Sequence, residues 1–159
     1  MKQLLLLRHA HAQEALPGME DIARPLSPRG RAEALDAARC IAKAGLRCDA
    51  VLASPAVRAT ETGRIVAVKL DLLADLRIEP ALYPGDPEAL LGVLKHCPDE
   101  LETVLMIGHN PGLSEFAQHF NGAEAAIELR TAGLCAITFA DQASWRALPP
   151  RPAALALLR

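Results

Sequence analysis

Aromatic side chains are scarce in this 159-residue chain, which has three phenylalanines, one tyrosine and one tryptophan. That scarcity removes the stacking platforms on which single-stranded nucleic acids are usually held. No basic tract compensates, and the formal net charge is -2, so a groove that tracks nucleic-acid phosphates is not expected. No run approaches ~18 consecutive apolar residues, which argues against a membrane-spanning helix. The apolar run at the start has one basic flank, Lys2, and is cut short by Arg8, so it does not read as a secretory leader. The cysteines Cys40, Cys48, Cys97 and Cys135 sit in separate segments without a CxxC pair. Neither a metal cluster nor a disulfide framework is expected of them, and reduced thiols in a cytoplasmic protein are. No glycine-rich loop follows the first apolar run, which speaks against a dinucleotide fingerprint. With no repeat and no linker, residues 1–159 are expected to form one domain.

The chain does contain an alternation of apolar runs and helical periods. Leu4 to Leu7 read as a buried strand, delivering Arg8, His9 and His11 to its C-terminal end. Residues 12–26 form a loop. Ser27-Pro28 is a helix N-cap followed by proline at the first helical position, and the helix over 29–44, with Ala32, Leu35, Ala38, Ile41 and Ala42 on one side, stops at Gly45. Residues 50–53 predict a second strand, Ser54-Pro55 a second cap-and-proline start, and 56–69 a second helix with Arg58 in its first turn. Residues 77–79 allow a short strand. Pro87 begins a helix running to about Lys95, and Val104 to Ile107 form a strongly β-forming run that ends in Gly108-His109. A helix from Leu113 to Phe120 follows, and 124–130 read equally as helix or loop. Residues 134–139 and 144–148 read as a hairpin, and 153–158 as a last strand or a covering helix. Strand and helix alternating in this way predict an α/β fold, a three-layer α/β/α sandwich with a mostly parallel mixed sheet.

In such a sheet, ligands gather at the C-terminal ends of the strands. Two strand ends present His9 and His109, with Arg8 and Arg58 beside them. Arginine stays cationic and offers a planar fork of donors suited to phosphate oxygens. Histidine can attack or transfer a proton near neutrality. Together they predict a site for a phosphoryl group. His11 and Arg24 are candidates for a substrate rim, while Arg29 reads as solvated surface.

Three stretches, in this order, resemble the histidine phosphatase superfamily: Leu6-Leu7-Arg8-His9-Ala10, then Ser54-Pro55 through Arg58-Ala59 to Thr62, then Gly108-His109-Asn110-Pro111. Pro25 to Gly30 and Leu82 to Asp86 make the chain most similar to bacterial phosphohistidine phosphatases of the SixA type. The resemblance spans residues 3–120 and implies a phosphoglycerate-mutase-like fold. It further implies a transiently phosphorylated His9, and a phosphate pocket of Arg8, Arg58, His109 and His9, without metal or other cofactor. Where the family usually has Arg-His-Gly, this chain has Arg8-His9-Ala10, which requires a backbone that tolerates a Cβ. Members acting on alkyl esters need a carboxylic acid to protonate the leaving alcohol, and Glu79 and Asp86 are the candidates. Phosphohistidine, with a good leaving group once protonated, needs such an acid less. The expected activity is removal of phosphate from phosphohistidine in a protein partner. The alternatives are a phosphomonoesterase for a small metabolite and a non-catalytic phosphoprotein-binding module.

Overall fold

The computed structural model describes residues 1–122, 125–148 and 154–159. Its strands are β1 (Lys2–Arg8), β2 (Ala50–Ala53), β3 (Leu76–Ile78), β4 (Thr103–Gly108), β5 (Leu134–Phe139) and β6 (Ala154–Leu157), and its α-helices are α1 (Pro28–Lys43), α2 (Val57–Lys69), α3 (Pro87–Lys95) and α4 (Gly112–Asn121). All six strands join one sheet in the order β3-β2-β4-β1-β5-β6. The first four run parallel, β5 is antiparallel to β1, and β6 is antiparallel to β5.

β1 is a continuous leucine run because both of its faces are covered. Leu4 and Leu6 pack with Leu90 and Leu94 of α3 and with Leu113 and Phe116 of α4. Leu5 and Leu7 face the other way, toward Ala37, Ala38 and Ile41 of α1 and Ala59, Val66 and Ala67 of α2. The result is the expected three-layer α/β/α arrangement.

α1 starts where its cap predicts, with the Ser27 hydroxyl accepting from the Gly30 amide at 3.0 Å. It ends ahead of Gly45, whose φ of +70° suits glycine. Its buried face is Gly30, Ala34, Ala37, Ala38 and Ile41. Ala32 and Ala42 of the predicted stripe are exposed, because the buried positions 30, 34, 37, 38 and 41 repeat with the helical period and leave these two on the other side of the helix.

The hairpin predicted over 134–148 forms only its first strand. Trp145 to Ala147 make a single 3-10 turn, because the Trp145 ring is wholly buried and its Nε1 donates to the Leu101 carbonyl at 2.7 Å. β6 takes the place beside β5, as the strand alternative for the C-terminal run predicts; Ala153 lies outside the described residues, as does residue 124 of the ambiguous 124–130 segment. The described part of that segment, 125–130, is irregular.

Candidate active site

Three parallel strands end side by side. Arg8 of β1 is in register with Gly108 of β4, so His9 and His109 are the next residues of adjacent strands. Ser54 follows β2 directly, its amide donating to the Ile107 carbonyl at 3.0 Å. The two imidazole centroids are 5.1 Å apart, and the residues are 8% and 7% exposed.

Backbone links hold His9. Its amide donates to the Gly108 carbonyl at 3.0 Å, and the next amide, Ala10, donates to Thr62 Oγ1 at 3.1 Å. Thr62 in turn donates to the Arg58 carbonyl at 2.7 Å, fixing α2 against the strand end. Ala10 is fully buried beside Leu26, Ala34 and Ala132, and its φ is not positive, so a Cβ is accommodated here. His9 Nδ1 lies 2.7 Å from the Ala10 carbonyl. A carbonyl only accepts, so Nδ1 carries the proton and Nε2 is left with its lone pair. Burial lowers the His9 pKa to about 4, the Ala10 hydrogen bond opposes this, and the charges of Arg58, Arg8 and Arg24 add to the lowering. The ring is therefore neutral at pH 7.

Arg58 reaches both histidines, with Nε 3.3 Å from His9 Nε2 and Nη2 3.4 Å from His109 Nδ1. A guanidinium only donates, so His109 Nδ1 accepts and Nε2 carries the proton. That proton points to the Ser54 hydroxyl at 2.7 Å. The His109 pKa falls to about 3, through burial first and then the nearness of His9, with which it cannot share a second positive charge, and the charge of Arg58, with Asp21 opposing. Arg8 donates from Nη1 to the Leu129 carbonyl at 3.1 Å. Its buried Nε has no partner among the described residues. Burial lowers the Arg8 pKa, and the charge of Glu128 counters that.

The structure thus brings Arg8, His9, Arg58 and His109 together, and gives neither predicted acid a hydrogen bond to any of them. Glu79 lines a groove of about 410 Å³ with Leu52, Arg77, His96 and Cys97, on the α3 side of the sheet. Asp86 is the N-cap of α3, accepting from the Ala89 amide at 2.8 Å. Each is a carboxylate in the stretch where the resemblance asks for an acid, and Asp86 is engaged by its own helix. Ser54 is no helix cap either: α2 starts at Val57 after Ala56, and the Ser54 hydroxyl is bound to His109 instead. His11 supports the start of α1, with Nδ1 2.6 Å from the Ser27 hydroxyl and its amide donating to Glu33. Arg24 donates to Asp21 Oδ1 at 3.0 Å, and Arg29 pairs with Glu33 on the surface.

Sequence reasoning overlooked Asp21, Tyr83 and Glu128. Asp21 lies in a 3-10 turn of the 12–26 loop and accepts from Arg58 Nη2 at 2.9 Å and from the Tyr83 hydroxyl at 3.0 Å. A loop beside two arginines that carries Glu20-Asp21 was the available signal. Glu128 is exposed next to a groove of about 520 Å³ that also includes Asn110, Ser114 and Glu115. Among the described residues no group of His, Cys, Asp and Glu side chains is arranged to hold a metal ion, and no helix is long and apolar enough to cross a membrane.

This constellation suits a tetrahedral oxyanion: two guanidinium groups, a neutral imidazole whose Nε2 lone pair has only a long contact from Arg58, and a second imidazole held in one tautomer. Residues 4–86, more than half of the chain, match the histidine phosphatase superfamily (branch 1). An uncharacterised chloroplastic protein of Arabidopsis thaliana is 30% identical over 139 residues; the match covers 82% of this chain but only 63% of the length of that relative. A SixA protein of Agrobacterium tumefaciens superposes with a TM-score of 0.80 at 27% identity, covering 87% of this chain and 92% of that one. The protein histidine phosphatase SixA solved with tungstate gives 0.77 at 26%, covering 89% and 91%. The chain belongs to the histidine phosphatase superfamily, enzymes that work through a phosphohistidine intermediate, and is closely related to its SixA-type phosphohistidine phosphatases.

Proposed function

We propose that this enzyme removes the phosphoryl group of phosphohistidine in a protein partner and that His9 is the residue phosphorylated on the way. The observation that carries the reading is the state of His9: neutral, with Nδ1–H tied to the Ala10 carbonyl and Nε2 turned to Arg58. In the first step the Nε2 lone pair attacks phosphorus and the bond from phosphorus to the leaving nitrogen breaks; the substrate ring, already protonated by solvent on its other nitrogen, takes the bonding pair and departs as neutral imidazole. Arg8 and Arg58 take the phosphoryl oxygens, and His109, whose Nε2–H is held by Ser54, joins them once the arriving dianion brings a proton to its Nδ1. In the second step water attacks the phosphorus of phospho-His9, its proton passes to solvent or phosphate, and neutral His9 and inorganic phosphate result.

The leaving group favours phosphohistidine. A phosphoramidate whose ring is already protonated departs as neutral imidazole, whereas an alkyl ester needs an acid at the alkoxide. Asp86 is engaged as a helix cap and Glu79 lines a different groove. The likeness to a protein histidine phosphatase SixA supports the same substrate class. The four thiols are free, which fits a reducing compartment, and we place the enzyme in the cytoplasm. The six strands joined in one sheet support reading residues 1–159 as one domain.

Glu128 favours the second reading, a phosphomonoesterase for a small metabolite. Its charge is felt by Arg8, so a carboxylate does stand at the pocket's edge. Turnover of a phosphohistidine peptide and of p-nitrophenyl phosphate, for wild type, His9→Ala and Glu128→Gln, separates the two. Fast, His9-dependent turnover of the peptide with slow ester hydrolysis is the expected result. Efficient ester hydrolysis that collapses in Glu128→Gln would replace the first reading with the second. Turnover that survives His9→Ala would remove His9 from the mechanism.

A further inference from the structure

Arg58 brings five N–H groups to the pocket, and most of them are already engaged. Nε faces His9 at 3.3 Å. Nη2 is shared between His109 at 3.4 Å and the Asp21 carboxylate at 2.9 Å. Nη1 donates to the Asp21 carbonyl at 2.7 Å. The histidine contacts are the long ones and yield first to an arriving phosphoryl oxygen. The Asp21 contacts are short and held from behind, because Tyr83 donates to the same carboxylate oxygen at 3.0 Å and Arg24 to the other at 3.0 Å. Tyr83 also stands edge-on to His109, with ring centroids 5.4 Å apart, so the carboxylate is tied into the wall of the pocket.

We infer that Asp21 is an internal anion that competes with phosphate for Arg58 and so weakens the hold of the pocket on doubly charged oxyanions. The inference rests on the phosphate-pocket reading above. The charges around the pocket are Arg8, with Glu128 acting on it, and Arg58, with Asp21 between Arg58 and Arg24, while both histidines are neutral. An entering dianion shares Arg58 with a carboxylate only a few ångströms away, and it is repelled by it. Asp21 is ionised: burial raises its pKa, but the Tyr83 and Arg58 hydrogen bonds and the Arg58 and Arg24 charges outweigh that and bring it to about 2. For an enzyme whose product is inorganic phosphate, such competition speeds product release. Asp21 is a positioning residue, acting through Arg58 rather than on the substrate.

The sign of one substitution decides the matter. If Asp21 only supports Arg58, Asp21→Asn loosens the arginine and weakens anion binding. If it competes, Asp21→Asn tightens it. With solvent screening at this half-exposed side chain, tightening of roughly tenfold is expected for one removed charge at a few ångströms. Calorimetric titration with tungstate and with inorganic phosphate at pH 8 measures this without needing turnover, and Asp21→Ser serves as a second variant should the asparagine chain fail to fold. A tighter Kd for both anions, together with a lower KM and a lower kcat on the phosphohistidine peptide, is the expected result. A Kd that is unchanged or weaker overturns the inference. Wild-type chain that binds tungstate but turns nothing over would fail the proposed function and leave the role of Asp21 standing, whereas wild-type chain that binds neither anion would overturn both.

Discussion

Acidification should destabilise this protein well above the pH at which its carboxylates titrate. His9 and His109 have pKa values lowered from 6.5 to about 4 and about 3. Between pH 6.5 and those values the unfolded chain binds protons that the folded chain refuses, so stability falls as pH falls through that window and is flat above it. At pH 5 each histidine accounts for about 2 kcal/mol relative to pH 8, together on the order of 4 kcal/mol. A domain of this kind has roughly 5–15 kcal/mol in all. Urea unfolding in phosphate-free buffer, with a slope of about 2 kcal/mol per molar, should therefore show a midpoint roughly 2 M lower at pH 5 than at pH 8. His109→Gln removes one of the two groups and should cut that difference by about half. Equal midpoints at pH 8 and pH 5 would refute the burial argument, as would an undiminished difference in His109→Gln.

Ser54→Ala strands the His109 Nε2 proton and the Ala56 amide, which donates to the same hydroxyl at 3.2 Å. A loss of about 1–3 kcal/mol is expected from thermal melts, and kcat should fall more than KM rises as His109 loses its fixed tautomer. Gly112→Ala would place a Cβ 1.9 Å from the Gly85 carbonyl oxygen; with backbone on both sides, at least about 2 kcal/mol should be lost, visible as a melting temperature lower by several degrees. Asp86→Ala should cost about 1 kcal/mol as a lost helix cap and Asp86→Asn much less, with ester hydrolysis unchanged in both; a large fall in kcat for Asp86→Asn would return Asp86 to the chemistry.

The centre of the sheet was legible because β1, β2 and β4 are buried on both faces and read as apolar runs, and because the ends of β1 and β4 change abruptly to Arg8-His9 and Gly108-His109, whereas the edge strands β3 and β6 are largely exposed and left a weaker signal. α1 announced itself through Ser27-Pro28 and Gly45. The same signature misled at Ser54-Pro55, where a buried imidazole next to the serine is a stronger partner than a helix amide. Trp145 turned the predicted second arm of the hairpin into a 3-10 turn, since a large ring with one donor went where burial and a carbonyl coincided. The placement of Arg8, His9, Arg58 and His109 followed from strand ends and one helix turn. Asp21 and Tyr83 did not, because they come from two loops whose approach is set by tertiary packing and leaves no period in the sequence.

The register of β1 against β4 is also the ruler of the site. Arg8 stands opposite Gly108, and that single alignment sets the two imidazoles side by side. A slip of one residue would turn every side chain of a strand to the wrong face. A slip of two would keep the faces but carry His109 about 6.6 Å along the strand, out of reach of Arg58 and Ser54. A collapsed chain with the leucine core nearly intact but the central pair misaligned would therefore be compact and inactive. During refolding, recovery of turnover should lag behind recovery of secondary structure, and the interval between them would time the moment at which the two central strands find their alignment.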